Sequence, residues 1–251
     1  MRKSLKQILK RNTFFYPSRS GFGVYKPELR QGIFLSPRER SYQITSFAQQ
    51  GEDLILNRIF ARRLGFDARS MKGFYVDIGA YHPFSHSTTF CLYKFGWSGV
   101  CIDISRESCD LISRFRPRDR VFQCAISGKD HEKNAVSAEG LSLINEVDND
   151  LSKVTTNADL IDSRSLNSIL DEIGREGRID YLNIDVEGAE IDALEGLDFN
   201  LYSPRVISVE IHDRDMVSAL ETPAAKILRN QGYIPVGCAA ITYFFIRDSE
   251  A

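Results

Sequence analysis

Residues 74–80 read FYVDIGA, an apolar run that carries one acid and ends in a glycine turn. Such a run suits a strand covered on both faces, and Gly79 supplies the backbone freedom for a tight exit. Similar runs recur at GVCIDIS (99–105), RVFQCAI (120–126), IDYLNID (179–185) and VISVEIH (206–212). Between them, ESCDLISRF, SLNSILDEI and GAEIDALEGL place apolar residues three and four apart, the spacing of amphipathic helices. This alternation predicts βαβ units and a parallel sheet.

The end of the chain breaks the rhythm. GYIPVGC and ITYFFIRD are strand-like runs separated by Ala239 and Ala240 alone, too short a link for a crossover helix. The expected fold is therefore α/β: a doubly wound, seven-stranded, mostly parallel, Rossmann-like sheet with an antiparallel last strand. Residues 127–164 are polar with weak periodicity and read as an insertion over one sheet edge; residues 21–45 are similarly irregular.

At 251 residues and 43% hydrophobic content the chain can bury a sizeable core, and a formal charge of −2 gives no global field to draw it to nucleic acid. Its five cysteines form no CxxC pair, which points to reduced structural thiols and a cytoplasmic location. Residues 1–20 hold Arg2, Lys3, Lys6, Lys10, Arg11 and Arg19 without an acid, and Leu5, Ile8 and Leu9 fall at helical spacing. Two readings stand: a basic amphipathic helix resting on an anionic membrane surface, or a frayed or oligomer-contacting terminus. No feature of the sequence selects an oligomeric state.

In an open parallel sheet, ligands bind outside the carboxyl ends of the strands. Gly79 sits at such an end, but Tyr81 and Pro83 stand where a dinucleotide fingerprint needs glycine. Asp103 closes the second strand and is placed to accept both ribose hydroxyls of an adenosine. The combination with Asp77 suits one nucleoside without a pyrophosphate. Asp185, Glu187, Glu210 and His212 gather at adjacent strand ends; Glu210 and His212, two apart, face one side of their strand. Glu187 and Glu190 are expected in the first turn of the next helix, where dipole stabilisation alone would explain them. His82 and His86 flank the glycine turn and serve either as loop braces or in chemistry. His82, Glu187, Glu210 and His212 carry donor types that suit a divalent ion, although spacing alone does not assemble them into a site.

The segments AQQGEDLIL (48–56), FYVDIGA, CIDIS, IDVEGAE (184–190) and VEIH together resemble the FkbM family of S-adenosylmethionine-dependent methyltransferases. The resemblance runs from about Phe47 to Asp248, with IDVEGAE its most specific part. It implies a basic extension over 1–45 and a class I methyltransferase-like domain over 46–251. Carried over, Asp77, Gly79 and Ala80 would line the methionine end of the cofactor and Asp103 would hold the ribose. Ile104, Ala125 and Ile126 would border adenine, and Asp185 would sit near the sulfonium. The general methyltransferase turn has two or three glycines, whereas GAYHPFSHST has one followed by His-Pro; GAxHP followed by GWSG (96–99) resembles a subgroup of the family. Family members commonly methylate hydroxyls of sugars, polysaccharides or polyketide-like products, which makes a small-molecule or glycan acceptor the expected partner.

A sugar hydroxyl needs a base or a metal ion to take its proton, and His212, then His82, are the candidate bases, with Glu187 or Glu210 orienting. Two other classes compete. A nicotinamide oxidoreductase lacks its pyrophosphate-binding glycines here, and a catalytically silent nucleoside-binding or scaffold protein would be favoured by loss of S-adenosylmethionine binding and excluded by methyl transfer to any acceptor.

Overall fold

A computed structural model describes residues 36–128, 133–137, 158–175, 178–186, 188–213 and 215–248. The chain divides into two units, Met1–Ile44 and Thr45–Ala251. In the first, the described residues include a single helical turn, α1 (Pro37–Arg40). It is closed by a reciprocal capping box: the Glu39 N–H donates to Ser36 Oγ and the Ser36 N–H to Glu39 Oε2.

The second unit begins with α2 (Glu52–Arg62), then β1 (Phe74–Ile78), α3 (Phe90–Lys94), β2 (Ser98–Asp103), α4 (Arg106–Phe115) and β3 (Arg120–Gln123). The short strands β4 (Ala125–Ile126), β5 (Lys133–Ser137) and β6 (Ala158–Arg164) follow, then α5 (Leu166–Glu172), β7 (Tyr181–Ile184) and α6 (Glu190–Glu195). The chain closes through β8 (Val206–Glu210), α7 (Met216–Ala219), α8 (Pro223–Asn230), β9 (Tyr233–Ala239) and β10 (Thr242–Arg247).

The main sheet has seven strands in the order β3-β2-β1-β7-β8-β10-β9. β10 runs antiparallel to both β8 and β9, so the reversed last strand lies inside the sheet and β9 forms its edge. The edge position tolerates Pro235, which has no N–H to donate. The hairpin link is Ala240 and Ile241, one residue later than the sequence suggested, with Ala240 at φ 48°.

Side chains alternate across β1. Val76 and Ile78 pack with Leu166, Ile169, Ala193, Leu194 and Leu228, which places α5, α6 and α8 on one face. Tyr75 packs with Leu56, Phe60, Trp97 and Ile112, which places α2 and α4 on the other. Both faces are covered, and the near-continuous apolar runs follow from that. Within GWSG, Trp97 is fully buried, with its indole N–H donated to the Ala68 carbonyl at 2.8 Å. Gly99 lies against Tyr75, where a Cβ would come within 2.3 Å of the ring.

One strand departs from the expected boundaries. RVFQCAI breaks at Cys124: residues 120–123 join the main sheet, while Ala125 and Ile126 pair in parallel with Ser163 and Arg164. The flanks of the polar insertion are themselves strands, β5 and β6, paired antiparallel in a three-stranded sheet of order β4-β6-β5. Residues 138–157, and the basic segment 1–20, lie outside the described residues. Among the described residues no helix is long and apolar enough to cross a membrane.

Candidate active site at the carboxyl ends of the strands

Gly79 turns at φ 78°, and its N–H and that of Ala80 both donate to the Ile102 carbonyl, at 2.9 and 3.1 Å. A Cβ at residue 79 would lie 1.7 Å from the backbone oxygen of Asp185. The glycine therefore lets the turn after β1 press directly on the end of β7, which brings Asp185 beside it.

Asp103 stands at the end of the neighbouring strand. Its Oδ2 accepts the Tyr81 N–H at 2.7 Å and its Oδ1 the Ser105 N–H at 2.8 Å. Burial pushes the carboxyl up, opposed by the hydrogen bonds from Ser105 and Tyr81. A carboxylate has about four acceptor sites, so two backbone donors orient Asp103 and leave capacity for a diol.

Asp185 and Glu210 end β7 and β8, and their side chains share a hydrogen bond. Burial raises the Asp185 carboxyl to about 8, helped by that bond and by the charges of Glu210, Asp77 and Glu190. Asp185 therefore keeps its proton near neutral pH. His212 Nε2 lies 3.5 Å from Glu210 Oε1, with the imidazole 61% exposed and the Glu210 side chain 11% exposed. Glu190 opens α6 and accepts the Gly188 N–H at 2.8 Å; Glu187 lies outside the described residues.

His82 is half-buried. Its Nδ1 accepts the N–H groups of Phe84 and Ser85, at 3.2 and 3.0 Å, which puts the proton of the neutral ring on Nε2. Burial, and then His86, lower its basicity. Tyr81 and His86 are non-glycine residues with left-handed backbones, at φ 51° and 55°, and their rings stack at 5.9 Å.

Other predicted positions fall differently. Asp77 is 2% exposed and lies beneath the turn, where Thr89 Oγ1 donates to its Oδ2 at 2.5 Å and Asn183 Nδ2 to its Oδ1 at 3.0 Å. Burial pushes this carboxyl up, opposed by the Arg116 guanidinium and then by these two bonds. Ala80, Ala125 and Ile126 are buried, and the Ile104 carbonyl accepts from Gln123 Nε2 at 3.3 Å. Among the described residues no group of three His, Cys, Asp or Glu side chains converges as a metal site would. A depression of about 370 Å³, lined by Asn200, Asn230, Gln231, Gly232, Arg247 and Asp248, lies at the opposite end of the strands and shares none of these residues.

Sequence reading missed a buried polar row. Asp77, Asn183 and Ser208 stand in register across β1, β7 and β8. Ser208 donates to Asn183 Oδ1 at 2.6 Å, and the Tyr181 hydroxyl meets Ser208 Oγ at the same distance. It also missed Arg116, which is fully buried. Helical spacing carries no signal for it, because α4 ends at Phe115 and Arg116 leaves the helix at φ −125° and ψ 60°.

A parallel sheet with a reversed strand inside one edge, and a glycine turn beside two strand-end acids, defines the class I methyltransferase-like fold. The family model described as the methyltransferase FkbM domain matches residues 77–235, and the chain belongs to that family. The matched model is that of a methyltransferase domain. A search of curated proteins finds no match.

Several solved structures are similar. Monomeric WbdD is 14% identical with a TM-score of 0.42, over 86% of this chain and 45% of that one. This chain thus spans less than half the length of WbdD. A precorrin-6y C5,15-methyltransferase from Geobacter metallireducens is 11% identical with a TM-score of 0.43, over 81% and 90% of the two chains. An O-methyltransferase from Bacillus cereus, solved in complex with SAH, is 12% identical with a TM-score of 0.39, over 82% and 83%.

Proposed function

We propose that the protein O-methylates a hydroxyl of a sugar, polysaccharide or related natural product. The observation that carries this reading is the hydrogen-bonded pair Asp185–Glu210, set against the Gly79 turn with His212 at its outer edge. Asp103 would hold the ribose, the Gly79–Ala80 turn would face the methionine end, and Ile104, Ala125 and Ile126 would border adenine. S-adenosylmethionine, when bound, supplies an electrophilic methyl group.

The residues of the chain then have three tasks: to bind, to align and to take a proton. His212 accepts the hydroxyl proton, and Glu210 beside Nε2 stabilises the imidazolium that results. Asp185, protonated and beside Glu210, keeps that carboxyl in place. His82, with Nδ1 committed to the loop, is better suited to positioning than to proton removal. The oxidoreductase reading has no pyrophosphate cradle to support it, since the turn carries Gly79 alone.

The test is incubation with S-adenosylmethionine and a panel of sugars, glycans and small hydroxylated, amine and thiol compounds, read by mass spectrometry. A methyl ether on a hydroxyl acceptor is expected. A product methylated only on nitrogen or sulfur would overturn the assignment.

A further inference from the structure

Arg116, one residue past α4, is fully buried and reaches both ends of the loop over residues 79–89 from beneath. Its Nε donates to Asp119 Oδ2 at 2.7 Å, and its Nη2 to the Tyr75 hydroxyl at 2.8 Å and to Thr89 Oγ1 at 2.9 Å. Its Nη1 donates to Ser87 Oγ at 3.2 Å. Thr89 in turn donates to Asp77, two residues before Gly79. One planar guanidinium thus grips the exit of the loop directly and its entrance through the Thr89 hydroxyl. A lysine ammonium has no such fork.

The loop so held is strained. Tyr81 and His86 adopt backbones that side chains disfavour, and such conformations persist only where the surroundings impose them. Contacts of three kinds do so here: Asp103 on the Tyr81 N–H, His82 on Phe84 and Ser85, and the Arg116 cluster below. The Ser87 N–H is also fixed, on the Phe47 carbonyl at 3.1 Å.

We propose that Arg116 is a positioning residue for cofactor binding: through Ser87, Thr89 and Asp77 it holds the 79–89 loop in its ligand-ready shape before the cofactor arrives. This rests on the reading of the Gly79 turn as the S-adenosylmethionine site. Arg116 touches no reacting atom and acts through the loop alone.

The experiment compares the full-length wild type with Thr89→Val, Thr89→Ser and Arg116→Lys, by hydrogen–deuterium exchange and by calorimetric titration with S-adenosylhomocysteine. Thr89→Val removes the relay hydroxyl at nearly constant shape. It should speed exchange of the 80–89 amides about tenfold while β7 and β8 exchange as before, and weaken binding about tenfold. Thr89→Ser should restore both, and Arg116→Lys should behave as Thr89→Val does. Unchanged exchange in Thr89→Val overturns the proposal, as does faster exchange spread evenly over the sheet, which marks a merely structural role. Faster loop exchange with unchanged affinity also overturns it. If the wild type binds no S-adenosylhomocysteine, the cofactor reading falls separately, and the exchange pattern alone decides whether Arg116 clamps the loop.

Discussion

The backbone oxygen of Asp185 occupies the space that a Cβ at residue 79 would need, 1.7 Å away, so the ends of β1 and β7 touch through a glycine. This contact sets the spacing between the turn and the acid pair.

Gly79→Ala should therefore fail twice. The added methyl collides with backbone, and φ 78° is unfavourable for alanine, so the variant should lose about 2–4 kcal/mol of stability. Chemical denaturation measures that loss, and titration with S-adenosylhomocysteine should show binding abolished. Near-wild-type values in both would remove the contact from the account.

The acid pair makes stability depend on pH. The Asp185 carboxyl is raised to about 8 in the fold, above its ordinary 3.8, so the native state holds a proton that the unfolded chain releases. The stabilisation is fully present below about pH 4 and is lost as pH rises towards about 8. Asp185→Asn, which has no carboxyl to ionise, should melt higher than the wild type above about pH 8, with the advantage gone near about pH 4. Parallel melting curves at every pH would contradict the raised Asp185 carboxyl.

His212 and His82 should separate kinetically. His212→Ala should lower kcat by about 10²–10⁴ with S-adenosylhomocysteine affinity unchanged, as removal of a base does. His82→Ala frees the Phe84 and Ser85 N–H groups and should instead weaken cofactor binding. Steady-state kinetics on the acceptor, together with titration, distinguish the two patterns.

Arg116→Met leaves Asp119 buried without its cation, which should cost about 3–5 kcal/mol. The double variant Arg116→Met/Asp119→Leu should recover part of that loss, because the carboxylate paired with the guanidinium goes with it. Urea denaturation of the two variants checks the difference.

The sheet was legible because its strands are buried on both faces, and FYVDIGA or VISVEIH has no other economical reading. The antiparallel hairpin followed from a link too short for a helix. The break at Cys124 was not legible, since RVFQCAI is apolar on both sides of it and the partner of Ala125–Ile126 is β6, nearly forty residues on. Asp103, Asp185, Glu210 and His212 could be singled out in the sequence because they stand at or just past strand ends. Asp77 was found as an acid but not as a buried one. Arg116 was hidden in FRPRDR, whose charges look like a solvated helix end, and it lies past the end of α4, where helical spacing no longer marks an inward face.

Calorimetric titration with S-adenosylhomocysteine tests the central claim most directly. The wild type should bind in the micromolar range, about −8 kcal/mol, and should not bind NAD. Asp103→Asn, which loses the carboxylate proposed to hold the ribose, should bind about 100-fold more weakly. A wild type that binds no S-adenosylhomocysteine, or an Asp103→Asn variant that binds it as tightly, would contradict the account.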